Sequence, residues 1–193
     1  SWAARGLAAA GAKLVAVGDH GGYIANPEGF DVAALVEHVE QAANRSVAGF
    51  PGSDEISEVE LFGMEVDALI PAALGGVINE EIASDIKAKL IVEGANDPTT
   101  SAAHEILVRR GVRIVPDIVA NAGGVTVSYF EWVQNSQRFY WDENEVNLKL
   151  QKILRKAYDE VNKLAAKKKL DHRTAAFIIA IREVGKATVL RGI

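Results

Sequence analysis

The chain of 193 residues is 49% hydrophobic and 24% charged, with a formal net charge of −5 and no cysteine. This composition suits one soluble globular domain with a full core, and it excludes disulfides, thiolate catalysis and cysteine-ligated zinc. The acidic balance without a basic stripe argues against nucleic acid, no apolar run nears the roughly 20 residues that span a bilayer, and no signal-peptide layout opens the chain, so a cytoplasmic setting is the default.

In chain order, small residues at nearly every position predict a helix over 2–10, ended by Gly11. Lys13-Leu14-Val15-Ala16-Val17, closed by Gly18-Asp19, reads as a buried parallel strand. A loop with Gly21-Gly22 and Asn26-Pro27-Glu28-Gly29 leads to Asp31, placed to cap a helix through about Gln41 with Val32, Leu35, Val36 and Val39 on one face. A longer loop to about Glu65, holding Gly49-Phe50-Pro51-Gly52, follows. Asp67-Ala68-Leu69-Ile70 is a strand stopped by Pro71, and Asn79 starts a helix with Glu80 and Glu81 in its first turn.

A strand over 89–92, a helix over 100–110, Gly111 and a strand over 112–115 complete an alternating pattern, the mark of α/β with a parallel sheet. After Pro116 only helices are predicted, over about 124–135, over 143–168 and from an Asp171 cap to about Leu190. Lys167-Lys168-Lys169 reads as a solvated helix end, favourable to the helix dipole. The four histidines lack metal-ligand spacing, and the aromatic stretches Tyr129-Phe130-Glu131-Trp132 and Phe139-Tyr140-Trp141 read as core or inter-domain packing. No repeat or low-complexity linker divides the chain. The expected fold is Rossmann-like, a doubly wound, mostly parallel sheet lacking its first strand, with a helical tail over 136–193.

The missing strand is an expectation from topology. In a doubly wound sheet the first strand lies centrally and delivers a glycine-rich turn that holds pyrophosphate. Here the first predicted element is the helix that follows such a turn, and Asp19 ends the next strand where an acidic residue takes a ribose hydroxyl. A central strand and a phosphate turn are therefore expected ahead of Ser1. The alternative is a domain that begins with a helix, Asp19 being an ordinary turn residue.

Three strand ends stand out, because ligands of open α/β sheets bind at the carboxyl ends of the strands. In Leu69-Ile70-Pro71-Ala72-Ala73-Leu74, Ala72 and Ala73 leave room for a flat ligand, or belong to ordinary loop packing. In Val92-Glu93-Gly94-Ala95-Asn96, the amide of Asn96 offers a donor and an acceptor, or serves an Asx-turn before Asp97-Pro98. In Asn121-Ala122-Gly123-Gly124-Val125-Thr126-Val127-Ser128, two glycines at a helix start offer backbone N–H groups, and Gly124, Val125 and Ser128 share one face. That is a pocket for a small acid, or a glycine-permitted helix crossing with a capping serine.

Taken together these segments resemble the glutamate, leucine, phenylalanine and valine dehydrogenase family, and within it the glutamate dehydrogenases. The resemblance runs essentially along the whole chain. It rests on Asn26-Pro27-Glu28-Gly29, 69–74, 91–96 followed by Pro98-Thr99-Thr100, 121–135, and Arg173-Thr174-Ala175-Ala176. It implies an NAD(P)-binding domain over 1–193 of an enzyme that reversibly deaminates glutamate to 2-oxoglutarate and ammonia, with NAD slightly favoured over NADP. It implies Asp19 at the adenosine ribose, Ala72 and Ala73 on the adenosine side, and Asn96 and Asn121 by the nicotinamide ribose. Val125 and Ser128 would line the substrate pocket, Ser128 bonding the side-chain carboxylate of glutamate.

The family's catalytic lysine and aspartate belong to an upstream substrate domain, and no position here matches them. A homohexamer is implied as well. Two departures from the family pattern are Asp97, where a small residue such as glycine is usual, and Gly75-Gly76, expected to loosen a helix start. The alternatives are a non-catalytic regulatory relative of the same fold and a branched-chain amino-acid dehydrogenase.

Overall fold

The computed structural model describes residues 2–192; Ser1, with the junction expected there, and Ile193 lie outside them. The chain divides into two compact units, Ser1–Glu65 with Asp85–Lys87, and Val66–Ser84 with Ala88–Ile193.

The first unit holds α1 (Trp2–Ala9), β1 (Ala16–Asp19), β2 (Gly22–Ala25), α2 (Val32–Gln41), β3 (Asp54–Ile56) and α3 (Glu58–Phe62). Both helices expected here form, and Asp31 caps α2 by accepting from the N–H groups of Ala33 and Ala34. The strand differs from expectation. It begins at Ala16, and β1 pairs antiparallel with β2 in the order β1-β2-β3. The segment read as a loop at Gly21-Gly22 belongs to a hairpin: His20 and Gly21 make its turn, and Gly22 opens β2 opposite Asp19.

The loop expected up to Glu65 also carries structure. Its β3 extends the hairpin, and a reciprocal capping box of Ser57 and Glu60 starts α3. Ile24, Phe30, Leu35 and Val47 form the core of this unit, with Phe30 and Phe50 meeting edge to face at 5.8 Å between ring centroids.

The second unit is parallel α/β followed by helices. Its strands β4 (Ala68–Leu69), β5 (Leu90–Val92) and β6 (Arg113–Val115) pair in parallel in that order. They alternate with α4 (Glu80–Asp85), whose last residue counts with the first unit, and α5 (Ser101–Arg109). Thr100 caps α5 through the N–H of Ala103. Beyond β6 come α6 (Asp117–Ala120), α7 (Gly123–Gln137), α8 (Glu143–Lys168) and α9 (His172–Leu190).

The helix α8 has the bounds its pattern predicts, from the Asp142 cap to a left-handed C-cap at Lys169. It packs against α9 through Val161 and Ala165 on one side and Ala175 and Ala176 on the other. The two alanines of Arg173-Thr174-Ala175-Ala176 thus permit close helix approach. Among the described residues no helix is long and apolar enough to cross a membrane.

Candidate functional site

In the first unit Asp19 ends β1 and is held by its own chain. Its Oδ1 accepts from the Gly21 N–H at 2.9 Å and the Ser46 hydroxyl at 2.7 Å, and Oδ2 accepts from the Val47 N–H at 2.8 Å. Partial burial works against its charge, but the Ser46 hydroxyl, the two N–H donors and nearby His20 outweigh it and lower its pKa. Asp19 is therefore an anion that ties the turn after β1 to the segment before Gly49.

In the second unit the loops after β4 and β5 run side by side and continue the parallel pairing. Ala95 N–H donates to Pro71 O, Gly76 N–H to Asp97 O, Ile78 N–H to Pro98 O and Thr100 N–H to Ile78 O. A Cβ on Gly94 would lie 3.2 Å from Ala72 Cβ, so glycine there lets the two loops close up. Ala72 and Ala73 remain exposed on this rim.

Gly75-Gly76 does not start the helix, which begins at Glu80. The pair belongs to the zipped loop instead, and Gly76 adopts a φ of +70° there. Asp97 is left-handed, with φ at +46°, which gives the physical reason a glycine suits that position.

The two asparagines singled out from the sequence meet. Asn121 Nδ2 donates to Asn96 Oδ1 at 2.6 Å, so the Asn96 side chain spans to the C-cap of α6 rather than closing an Asx-turn. Beneath them lies a network of charged groups that sequence reasoning missed. Glu93 has no solvent exposure, and its carboxylate takes Arg173 Nη2 at 2.6 Å on Oε1 and the Asp117 N–H at 3.0 Å on Oε2. Asp117 Oδ2 in turn accepts from the Asp97 N–H at 2.7 Å.

Arg173 Nε donates to His104 Nδ1 at 3.4 Å, and His104 Nε2 meets Asp171 Oδ1, the cap of α9, at 3.1 Å. A glutamate at the end of an apolar strand is the signal that could have found the network, because a buried charge demands a partner.

The helix α7 presents the remaining candidates. Its N-terminus has no side-chain cap, and a Cβ on Gly124 would meet nothing within 4 Å. Val125 is 71% exposed, and Ser128 is exposed one turn after Gly124. The Thr126 hydroxyl folds back onto Ala122 O, whereas that of Ser128 has no hydrogen bond to any described residue. Gly124 therefore serves no helix crossing, and Ser128 caps nothing.

The family profile of glutamate/leucine/phenylalanine/valine dehydrogenase matches residues 1–192. The chain belongs to this dehydrogenase family. It is 51% identical over 183 residues to the glutamate dehydrogenase of Thermotoga maritima, covering 95% of this chain and 44% of that protein. Among solved structures it is similar to the hetero-hexameric glutamate dehydrogenase of Thermus thermophilus, at 32% identity and a TM-score of 0.90, covering 98% of this chain and 44% of the other.

The glutamate dehydrogenase of Peptoniphilus asaccharolyticus aligns at 33% identity and a TM-score of 0.79, over 98% of this chain and again 44% of the other. The chain thus spans under half the length of these dehydrogenases, and its parallel and antiparallel strands with flanking helices and a helical C-terminal segment are Rossmann-like.

Proposed function

We propose that residues 1–193 are the NAD(P)-binding half of a glutamate dehydrogenase, which oxidatively deaminates L-glutamate to 2-oxoglutarate and ammonia. The observation that carries this reading is Ser128: an exposed hydroxyl with no partner among the described residues, one turn from a glycine that opens onto free space. A side-chain carboxylate of the substrate satisfies that hydroxyl, while an apolar substrate would leave it buried and unpaired at a cost. Val125 supplies the apolar wall beside it.

The donor set suits a dinucleotide. The linked amides of Asn96 and Asn121 offer donors and acceptors to the nicotinamide ribose, and exposed Ala72 and Ala73 leave a flat rim for the adenosine side. Asp19, kept anionic by its three donors, meets the adenosine ribose and disfavours an added 2′-phosphate, so NAD is preferred over NADP. The bound nicotinamide supplies the hydride acceptor. This chain's own residues orient the two ligands, and the groups that move protons stand in a substrate domain elsewhere in the polypeptide.

The assembly is an oligomer, a hexamer by family likeness. Its support here is exposed apolar surface along α9, where Ile181, Val184, Val189 and Leu190 are each about two-thirds open or more. Nicotinamide reduction by the complete polypeptide, measured with glutamate, leucine and valine in turn, tests the substrate. Glutamate is expected to be oxidised fastest; a preference for leucine or valine moves the chain to the branched-chain enzymes, and no turnover with any of them marks a non-catalytic relative.

A further inference from the structure

We propose that the buried ion pair of Arg173 and Glu93 is a positioning device for the Asn96–Asn121 pair, through which the first turn of α9 sets the geometry at the nicotinamide end of the cofactor. This rests on the cofactor reading above. Neither residue touches the cofactor in this account. Each acts through Asp117.

Asp117 is the common anchor of both asparagines. Its backbone carbonyl accepts from the Asn121 N–H at 3.0 Å, and its side-chain Oδ2 accepts from the N–H of Asp97, the neighbour of Asn96, at 2.7 Å. Its own N–H rests on Glu93 Oε2 at 3.0 Å, and its Oδ1 lies 4.0 Å from Arg173 Nη1. Shifting the Glu93 carboxylate therefore shifts Asp117, and with it both ends of the 2.6 Å hydrogen bond between the two side-chain amides.

Glu93 is fixed in turn by Arg173, whose planar fork engages Glu93 and His104 in different directions. His104 is held by Asp171, which also binds the Thr174 N–H and hydroxyl in the first turn of α9. The path from helix to Asn121 is thus a continuous series of hydrogen bonds, and Asn96 is reached through its peptide link to Asp97. A wholly buried carboxylate is costly, and an apolar pair of the same size serves stability at least as well. The charged pair accordingly gains its use from direction, because apolar contacts do not fix where Asp117 points.

The test uses the complete polypeptide with Arg173→Lys and, separately, the double variant Glu93→Gln with Arg173→Met. Dissociation constants for NADH and for ADP, which lacks the nicotinamide ribose, are measured by calorimetry beside the thermal midpoint. Both variants are expected to bind NADH about 10-fold or more weakly while ADP binding stays within about 2-fold, because misplacement acts only at the asparagine end. The double variant, with no buried charge left unpaired, is expected to keep this defect while melting near the wild type.

Wild-type NADH affinity in either variant that folds overturns the proposal. So does parallel loss of NADH and ADP, or failure of both variants to fold, which marks the pair as structural. A wild-type protein that binds no NADH is a different result and sinks the cofactor reading itself.

Discussion

Asn121 donates its side-chain amide to Asn96 Oδ1 at 2.6 Å, although the two stand 25 residues apart, Asn96 in the loop after β5 and Asn121 as the C-cap of α6. The bond exists because β5 and β6 are parallel and adjacent, and the single turn of α6 that follows β6 brings its C-cap Asn121 to the loop leaving β5. Each amide keeps further donor and acceptor capacity for a ligand. A pair built this way is a stiff, polar edge on an otherwise small-residue rim, which is what a ribose needs for a fixed orientation.

Ser128→Ala removes the hydroxyl assigned to the substrate's distal carboxylate. A hydrogen bond to a charged group contributes about 1.5–3 kcal/mol, so kcat/KM for glutamate is expected to fall by roughly 10- to 150-fold. For leucine the same change is expected to be neutral or favourable. Steady-state kinetics with both amino acids measures the contrast, and equal losses for the two would remove Ser128 from the carboxylate site.

Gly124→Ala separates folding from binding. The added Cβ meets nothing within 4 Å, so the only effect on the fold is helix propensity, a gain of about 0.5–1 kcal/mol. Ligand access is the opposite case, since the methyl occupies space beside Ser128. Denaturant titration is expected to show a more stable protein and substrate titration a weaker KM; a variant stabilised with unchanged KM would place the substrate elsewhere.

Asp97→Gly tests the meaning of the departure at that position. A non-glycine residue at φ +46° is strained, and the Asp97 N–H needed by Asp117 survives the change. The variant is expected to gain roughly 0.5–1 kcal/mol in unfolding free energy after the entropy of glycine is set against the relieved strain. Removing a negative charge next to the asparagine pair is expected to tighten NADH binding as well. Weaker binding would show that Asp97 contributes a contact.

Stability should depend on pH through His172. Burial, reinforced by the Arg113 guanidinium and only partly offset by Asp171, lowers the pKa of its imidazole. The unfolded chain then takes up the proton first, so this contribution is whole above about pH 6.5 and declines as pH falls from there toward the folded value. His172→Gln can still bond Asn162, which His172 Nε2 meets at 2.7 Å, and is expected to flatten that part of the profile. Thermal midpoints between pH 5 and 7.5 read the slope, and an unchanged slope in the variant would assign it to other groups.

Much of this fold is legible in the residues because its signals are local. Asp31 and Asp171 announce helix starts through a side-chain oxygen three residues or fewer from the N–H it accepts. The hairpin of β1 and β2 is less legible. Its strands are four residues long, and the glycines at its turn, Gly21 and the first residue of β2, suit a loop as well as a tight turn.

The site divides in the same manner. Ser128 and Gly124 share a face by helix period alone, and Asn96 follows from strand-end position, whereas Asn121 is set by the short helix α6 that its local pattern does not announce. The Arg173–Glu93 contact spans 80 residues, and no pattern of spacing encodes it. Only the burial of a carboxylate at the end of β5 hints that a cation must arrive from somewhere.

The most direct measurement is a crystal structure of the complete polypeptide with NADH and 2-oxoglutarate bound together. The nicotinamide ribose is expected against the amides of Asn96 and Asn121, with the distal carboxylate of 2-oxoglutarate accepting a hydrogen bond from the Ser128 hydroxyl. A nicotinamide end lying away from both asparagines, or a distal carboxylate held by other groups with Ser128 left in solvent, would contradict this reading.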